Sequence, residues 1–101
     1  MLRFEWDPAK ARTNQRKHGI SFEDAMHVFD DPHALFEPDR GDEFGELRWH
    51  AVGLIEDVAV VLVAHTIREE GGDEIVRMIS ARQATRQERK RYEETGTQDV
   101  G

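Results

Sequence analysis

Residues 58–67 read VAVVLVAHTI and are apolar on both faces of an extended strand. A strand of this kind needs cover on both sides, so it belongs at the centre of a sheet with layers above and below it. Its sequence neighbours are also strand-like. Residues 47–55 alternate, with Arg48 and His50 on one face, and residues 74–81 carry Ile75, Val76, Met78 and Ile79. Glu56-Asp57 and Gly71-Gly72-Asp73 are the only connections, and links this short join antiparallel neighbours in a meander. Regular alternation in the last strand puts Val76, Met78, Ser80 and Arg82 on one face and Ile75, Arg77, Ile79 and Ala81 on the other. Arg77 and Arg82 are thereby predicted to point apart unless the strand ends or bulges between them.

Helices are predicted on either side of this block. Residues 2–6 read as a short strand. Asp7-Pro8 then starts a helix, with Asp7 as cap and Pro8 at the first helical position. That helix is expected to end near Lys17 or His18, with Gly19 as its left-handed stop. Ser21 with Asp24 resembles a capping box, and Phe22, Ala25, Met26 and Phe29 follow at helical spacing until Pro32. Residues 33–37 suit an edge strand. Thr85 and Glu88 form a second capping box that opens a terminal helix through about Glu94. The predicted order is β-α-α-β-β-β-β-α. This is an α+β domain over residues 1–95, with two N-terminal helices and one C-terminal helix on a twisted antiparallel sheet. Residues 96–101 are expected to be a disordered tail.

Composition narrows the chemistry. The 101 residues include no cysteine, which excludes thiol catalysis, disulfides and thiolate zinc sites. The start of the chain is too charged for a signal peptide and no apolar run is long enough to span a bilayer, so a cytoplasmic protein without membrane contact is expected. The net charge is −7, yet its sign is unevenly distributed. Residues 20–74 hold fifteen acids and three cations, whereas residues 75–92 hold six cations and one acid, Glu88. Cations gathered in one place on an acidic chain point to an anionic partner, either nucleic acid or an acidic protein.

Several spaced motifs together resemble one family. They are Phe4-Glu5-Trp6-Asp7-Pro8-Ala9-Lys10, Asn14, Lys17-His18-Gly19, Phe22, Ala25 and Phe29-Asp30-Asp31-Pro32. Further along come Gly45-Glu46-x-Arg48-Trp49, Arg77-x-Ile79-Ser80-Ala81-Arg82 and Glu88-Arg89-x-x-Tyr92. The series resembles the BrnT toxins, with Leu47 standing where the family usually has a second acid. The resemblance implies a RelE-like fold and a small endoribonuclease toxin of a type II toxin–antitoxin pair. It also implies a BrnA-like ribbon-helix-helix antitoxin as partner, with the complex repressing its own operon and contacting DNA only through the antitoxin.

Metal-independent RNA cleavage on such a fold needs a base for the 2′-hydroxyl, an acid for the 5′ leaving oxygen, and cations for the phosphate. Arg68, Arg77 and Arg82 are the phosphate-binding candidates, because guanidinium binds phosphate bidentately and stays charged. Ion pairing with the acidic middle is the alternative for each. Lys17 and His18 are acid/base candidates, although the helix dipole alone would favour cations there. His50 and His65 are rivals, with His65 better read as a packed histidine. Glu46 and Arg48 share a strand face and serve either as catalytic groups or as each other's partner. Trp6, Trp49 and Tyr92 offer rings for base stacking, with core or interface as the alternative for the tryptophans. Tyr92 and Arg89 lie on the basic terminal helix, read here as the surface for which RNA and antitoxin compete. No metal-ligand spacing occurs, and no cofactor is expected. The second functional reading is a catalytically weak binding partner of a DNA-binding antitoxin, acting only in repression.

Overall fold

The computed structural model describes residues 1–43, 46–57 and 59–98, with side chains described for all of these except 40–43, 46 and 96–98. In chain order the elements are β1 (Leu2–Glu5), α1 (Pro8–His18), α2 (Phe22–Ala25) and a 3₁₀ segment (Met26–Asp30). Then come β2 (Leu35–Glu43), β3 (Glu46–Ile55), β4 (Ala59–Glu70), β5 (Asp73–Gln83) and α3 (Arg86–Gln98). The five strands form one sheet in the order β1-β5-β4-β3-β2. As predicted, β2 to β5 make an antiparallel meander with β4 at its centre.

The local signals behave as the sequence suggests. Asp7 accepts a hydrogen bond from the Ala9 N–H, and Gly19 adopts φ 74° and donates to the Gln15 carbonyl. Ser21 caps the Asp24 N–H at 3.0 Å. Gly71 and Gly72 both have positive φ, at 60° and 87°, which is what a two-residue hairpin needs to match the twist of its strands.

Four expectations change. The sheet is mixed, not purely antiparallel, because β1 runs parallel to β5, pairing Leu2 with Glu74 and Glu5 with Arg77. No hairpin joins these two strands, so no tight turn dictates their direction. The second helix is a single α turn that tightens into the 3₁₀ segment. That segment lies flush on β3 at Gly53, where a Cβ would stand 3.0 Å from Val28 Cγ1. The terminal helix continues to Gln98, past Gly96, and Thr95 donates to the Arg91 carbonyl within it. The part of the expected tail at 99–101 lies outside the described residues.

The fourth change positions the site. Along β4 and β5, Ala64 pairs with Ser80 but His65 pairs with Met78, so Ile79 is an extra residue in β5. Such a bulge resets the alternation of every residue beyond it. Val76, Met78 and Ala81 therefore share one face and join the core with Val61, Val63, Ala51, Phe22, Ala25 and Val28. Ile75, Arg77, Ser80 and Arg82 share the other. The helices α1 and α2 and the 3₁₀ segment cover the first face. Beyond the short β1, the free edge of β5 is closed by a side chain. Asn14, buried in α1, accepts from the Ala81 N–H at 3.1 Å and donates to the Ala81 carbonyl at 2.9 Å. The amide of Asn14 thus stands in for the peptide group of a neighbouring strand.

Candidate functional site

The face of the sheet away from α1 and α2 is charged, and the register fixes its layout. One row runs Arg48, Thr66, Arg77, Glu5 across β3, β4, β5 and β1. The next runs Glu37, His50, Ala64, Ser80 across β2 to β5. Beyond it lie Leu62 and Arg82, and on the other side Arg68. The bulge at Ile79 brings Arg77 and Arg82 to one face with Arg48, His50 and Arg68. The regular strand anticipated from sequence would have split them.

Carboxylates hold the arginines. Arg68 grips Glu5 through two hydrogen bonds of 2.9 and 3.1 Å, and Arg77 donates to the same carboxylate at 3.2 Å. Arg68 also reaches Glu70 at 3.2 Å. The Arg68 hydrogen bonds outweigh the partial burial of Glu5 and hold its carboxyl below the usual range, while Glu5 and Glu70 raise Arg68. Asp39 of β2 bridges two side chains of β3, lying 2.9 Å from Arg48 Nε and 3.0 Å from His50 Nε2. The Asp39 carboxylate thus fixes the orientation of the His50 ring on the charged face.

Arg82 is tied to the start of α3. It donates to both oxygens of Glu88, at 2.8 and 3.0 Å, and to the Gln83 carbonyl at 3.1 Å. Glu88 in turn accepts from the Thr85 N–H at 2.8 Å, and Thr85 Oγ1 accepts from the Glu88 N–H at 3.2 Å, completing the predicted capping box. The Arg82 hydrogen bonds pull the Glu88 carboxyl down to about 2. Two further links fasten α3 over the sheet. Arg91 pairs with Glu37 at 2.9 Å, and the Tyr92 hydroxyl donates to Asp31, which also accepts from the Leu54 N–H. Burial, then the hydrogen bond to Asp31, pushes Tyr92 up to about 12. Its phenol therefore stays protonated at physiological pH. Its hydroxyl is engaged in anchoring α3, which accounts for Tyr92 in a helix with little apolar surface.

The remaining sequence candidates are placed as follows. Arg89 is exposed on α3. Glu46 has its backbone in β3, and its side chain lies outside the described residues. Lys17 and His18 end α1, three and four residues after Asn14, on the helix layer at the free edge of β5. Neither has a described hydrogen bond or ion pair with a residue of the charged face. Trp6 packs edge-on against Phe22, with ring centroids 5.8 Å apart, in the core beneath the helices. Ring packing accounts for its position. His65 is buried at 2 % exposure against Phe29 on that same side, the packed histidine anticipated. Among the described residues no group of three or more histidines and acids is arranged to hold a metal. No helix among them is long and apolar enough to cross a membrane.

Sequence reasoning missed Glu5 and Asp39. Glu5 was hidden by the unforeseen parallel pairing of β1, and Asp39 by an expected edge strand that stopped at residue 37. The one available signal for Asp39 was the strand-like reach of β2 toward the alternating Arg48 and His50.

Comparison with known proteins bears on this arrangement. Residues 6–88 match the family model described as the ribonuclease toxin BrnT of type II toxin–antitoxin systems. The fold is similar to the crystal structure of the Brucella abortus ribonuclease toxin BrnT, with a TM-score of 0.66 and 27% sequence identity over 85% of this chain and all of that one. No curated protein sequence matches the chain.

Proposed function

Because the chain belongs to the BrnT family of ribonuclease toxins of type II toxin–antitoxin systems, we propose that its charged sheet face cleaves RNA without a metal. The observation that carries this reading is the Ile79 bulge, which places Arg77, Ser80 and Arg82 on one face with Arg48, His50 and Arg68. In the proposed reaction His50, oriented by Asp39, takes the proton of the 2′-hydroxyl as its oxygen attacks the adjacent phosphorus. The bond to the 5′ oxygen breaks, a water molecule protonates that oxygen, and a 2′,3′-cyclic phosphate remains. Arg48, Arg77 and Arg82 stabilise the charge that grows on the phosphate oxygens. Rigid strands hold these groups, so they pay little entropy to converge on one phosphodiester.

The expected partner is a BrnA-like ribbon-helix-helix antitoxin in the cytoplasm. The pair would repress its own operon, with only the antitoxin contacting DNA. The paired state of Arg68 and Arg82 favours a second reading, in which the protein is a weak nuclease that serves the antitoxin in repression.

One experiment separates the two. Purified protein incubated with single-stranded RNA in EDTA should release fragments ending in 2′,3′-cyclic phosphate. The His50→Asn variant should be slower by about 10²- to 10⁴-fold, the usual worth of a general base. Intact RNA at high protein concentration would support the second reading, and cleavage lost on adding EDTA would exclude the metal-free mechanism.

A further inference from the structure

On the helix-covered side, the sheet extends beyond the elements that shield it. Phe29 of the 3₁₀ segment is partly buried against the core at this end of the sheet. Its ring lies 5.3 Å from Phe4, 5.0 Å from His65 and 5.9 Å from Phe36. Beyond this aromatic cluster the apolar surface continues into solvent. Leu47 and Ile67 occupy successive strands on that face and are 55% and 39% exposed, while Phe36 is 49% and Leu2 43% exposed. Side chains scattered singly need no explanation, but these share one sheet face around one aromatic cluster, which is the pattern of an interaction surface.

The rim of this surface is acidic. One row beyond Ile67, Glu69 of β4 stands directly opposite Glu74 of β5, and Glu74 in turn is the register partner of Leu2. Both acids are exposed, and among the described residues neither makes an ion pair. Like charges directly opposite each other weaken a strand pair, and a cation placed between them would remove that penalty. An apolar strip ending in two facing carboxylates therefore selects its occupant. RNA and anionic lipid are repelled by the acids. A second copy of this chain carries the same acids and the same net charge of −7, so its summed field opposes the approach. A segment with apolar residues on one face and lysine or arginine at one end satisfies both features.

We propose that this face, between Phe36 and the Glu69–Glu74 pair, receives an amphipathic, cation-bearing segment of the antitoxin. The inference rests on the family's toxin–antitoxin pairing, not on the cleavage chemistry. It places the antitoxin on the side of the sheet opposite the arginines, instead of on the basic helix α3.

The test uses the full chain and the antitoxin encoded with it. Two doubly substituted proteins, Leu47→Asp/Ile67→Asp and Glu69→Lys/Glu74→Lys, change only exposed side chains. Each should bind the antitoxin at least about tenfold more weakly by calorimetry, as the loss of an interface anchor does. Each should arrest growth even when the antitoxin is co-expressed, whereas the antitoxin rescues cells making the unsubstituted toxin. Growth arrest by the variants also reports that they are folded. Should the unsubstituted protein neither arrest growth nor cleave RNA, the proposed nuclease reading fails while calorimetry still decides the docking site, with thermal melts reporting the fold. Wild-type affinity in both variants, with binding lost in Arg89→Glu/Lys90→Glu, would put the antitoxin on α3 and overturn the proposal. So would a homodimer, detected by sedimentation, that the same apolar-face substitutions dissociate.

Discussion

The two faces of the sheet are built from the same four long strands, yet different forces hold them in shape. On one, Phe22, Val28, Val61, Val63 and Val76 are fully buried under the helices, and order comes from packing. On the other, order comes from carboxylates placed between arginines: Glu5 with Arg68 and Arg77, Asp39 with Arg48 and His50, Glu88 with Arg82. The first face accounts for most of the stability, because burial of apolar area is the dominant favourable term in folding. On the second, the ion pairs add little, since partly exposed pairs are typically worth about 0–1 kcal/mol each, and its apolar share comes from the buried Val52, Leu62 and Ile75. Its charged side chains are held in place by weak, exchangeable partners.

The sharpest way to break this division is to hollow out the packed face. Phe22 has no exposed surface and is met edge-on by Trp6. Phe22→Ala should cost about 3–5 kcal/mol in urea unfolding, the usual range for a phenylalanine removed from a core. At a temperature where the variant remains folded, RNA cleavage per folded molecule should be unchanged within about twofold, because Phe22 belongs to the core on the helix-covered side of the sheet. A loss of activity that exceeds the loss of folded protein would mean that the two faces are coupled through the sheet.

How much of this could be read in the chain differs between the faces for the same reason. The packed face was legible because apolar periodicity is local. Phe22, Ala25 and Met26 announce a helix, and the doubly apolar stretch around Val61 and Val63 announces a central strand. The charged face depends on register. One extra residue, Ile79, decides whether Arg77 and Arg82 meet, and nothing in the composition of Met78-Ile79-Ser80 marks a bulge. The ion-pair partners come from distant strands. Glu5 reaches Arg68 only because β1 inserts parallel to β5, which no turn signal encodes. Glu88 was the exception, since its capping box is local, and its bond to Arg82 follows from the few residues between them.

A smaller effect tests the packed face through its one buried histidine. Burial pushes His65 below its ordinary value, against a contact of 3.2 Å between its Nδ1 and the Val63 carbonyl. A histidine whose folded pKa is depressed binds fewer protons than it does in the unfolded chain. Its environment is therefore fully favourable above the unfolded value near 6.5, and stability is lost as pH falls below it. Urea unfolding should show a decline from pH 7 toward 5, bounded for one proton by about 1.4 kcal/mol per pH unit. His65→Phe, which keeps an aromatic ring beside Phe29 and Phe36, should flatten that decline. An identical slope in the variant would assign the pH dependence to other groups and leave His65 as inert packing.

The smallest effect probes the charged face without altering its shape. Glu5→Gln keeps a side chain of the same size between Arg68 and Arg77 but removes its charge. If the carboxylate occupies the place a phosphate would take, its neutralisation frees guanidinium charge for RNA. Binding of a non-cleavable single-stranded RNA should then tighten by about two- to fivefold at low salt. The dependence of log affinity on log salt should steepen by about 0.7 for each additional phosphate neutralised. Folding stability should fall by no more than about 1 kcal/mol, as expected of a partly exposed pair. The opposite sign is equally informative. Weaker binding in Glu5→Gln would mean that Glu5 holds the two arginines where RNA needs them, so that the carboxylate acts as scaffold and not as competitor. An unchanged affinity and salt slope would remove Arg68 and Arg77 from the RNA contact altogether, and would confine it to Arg48, His50, Ser80 and Arg82.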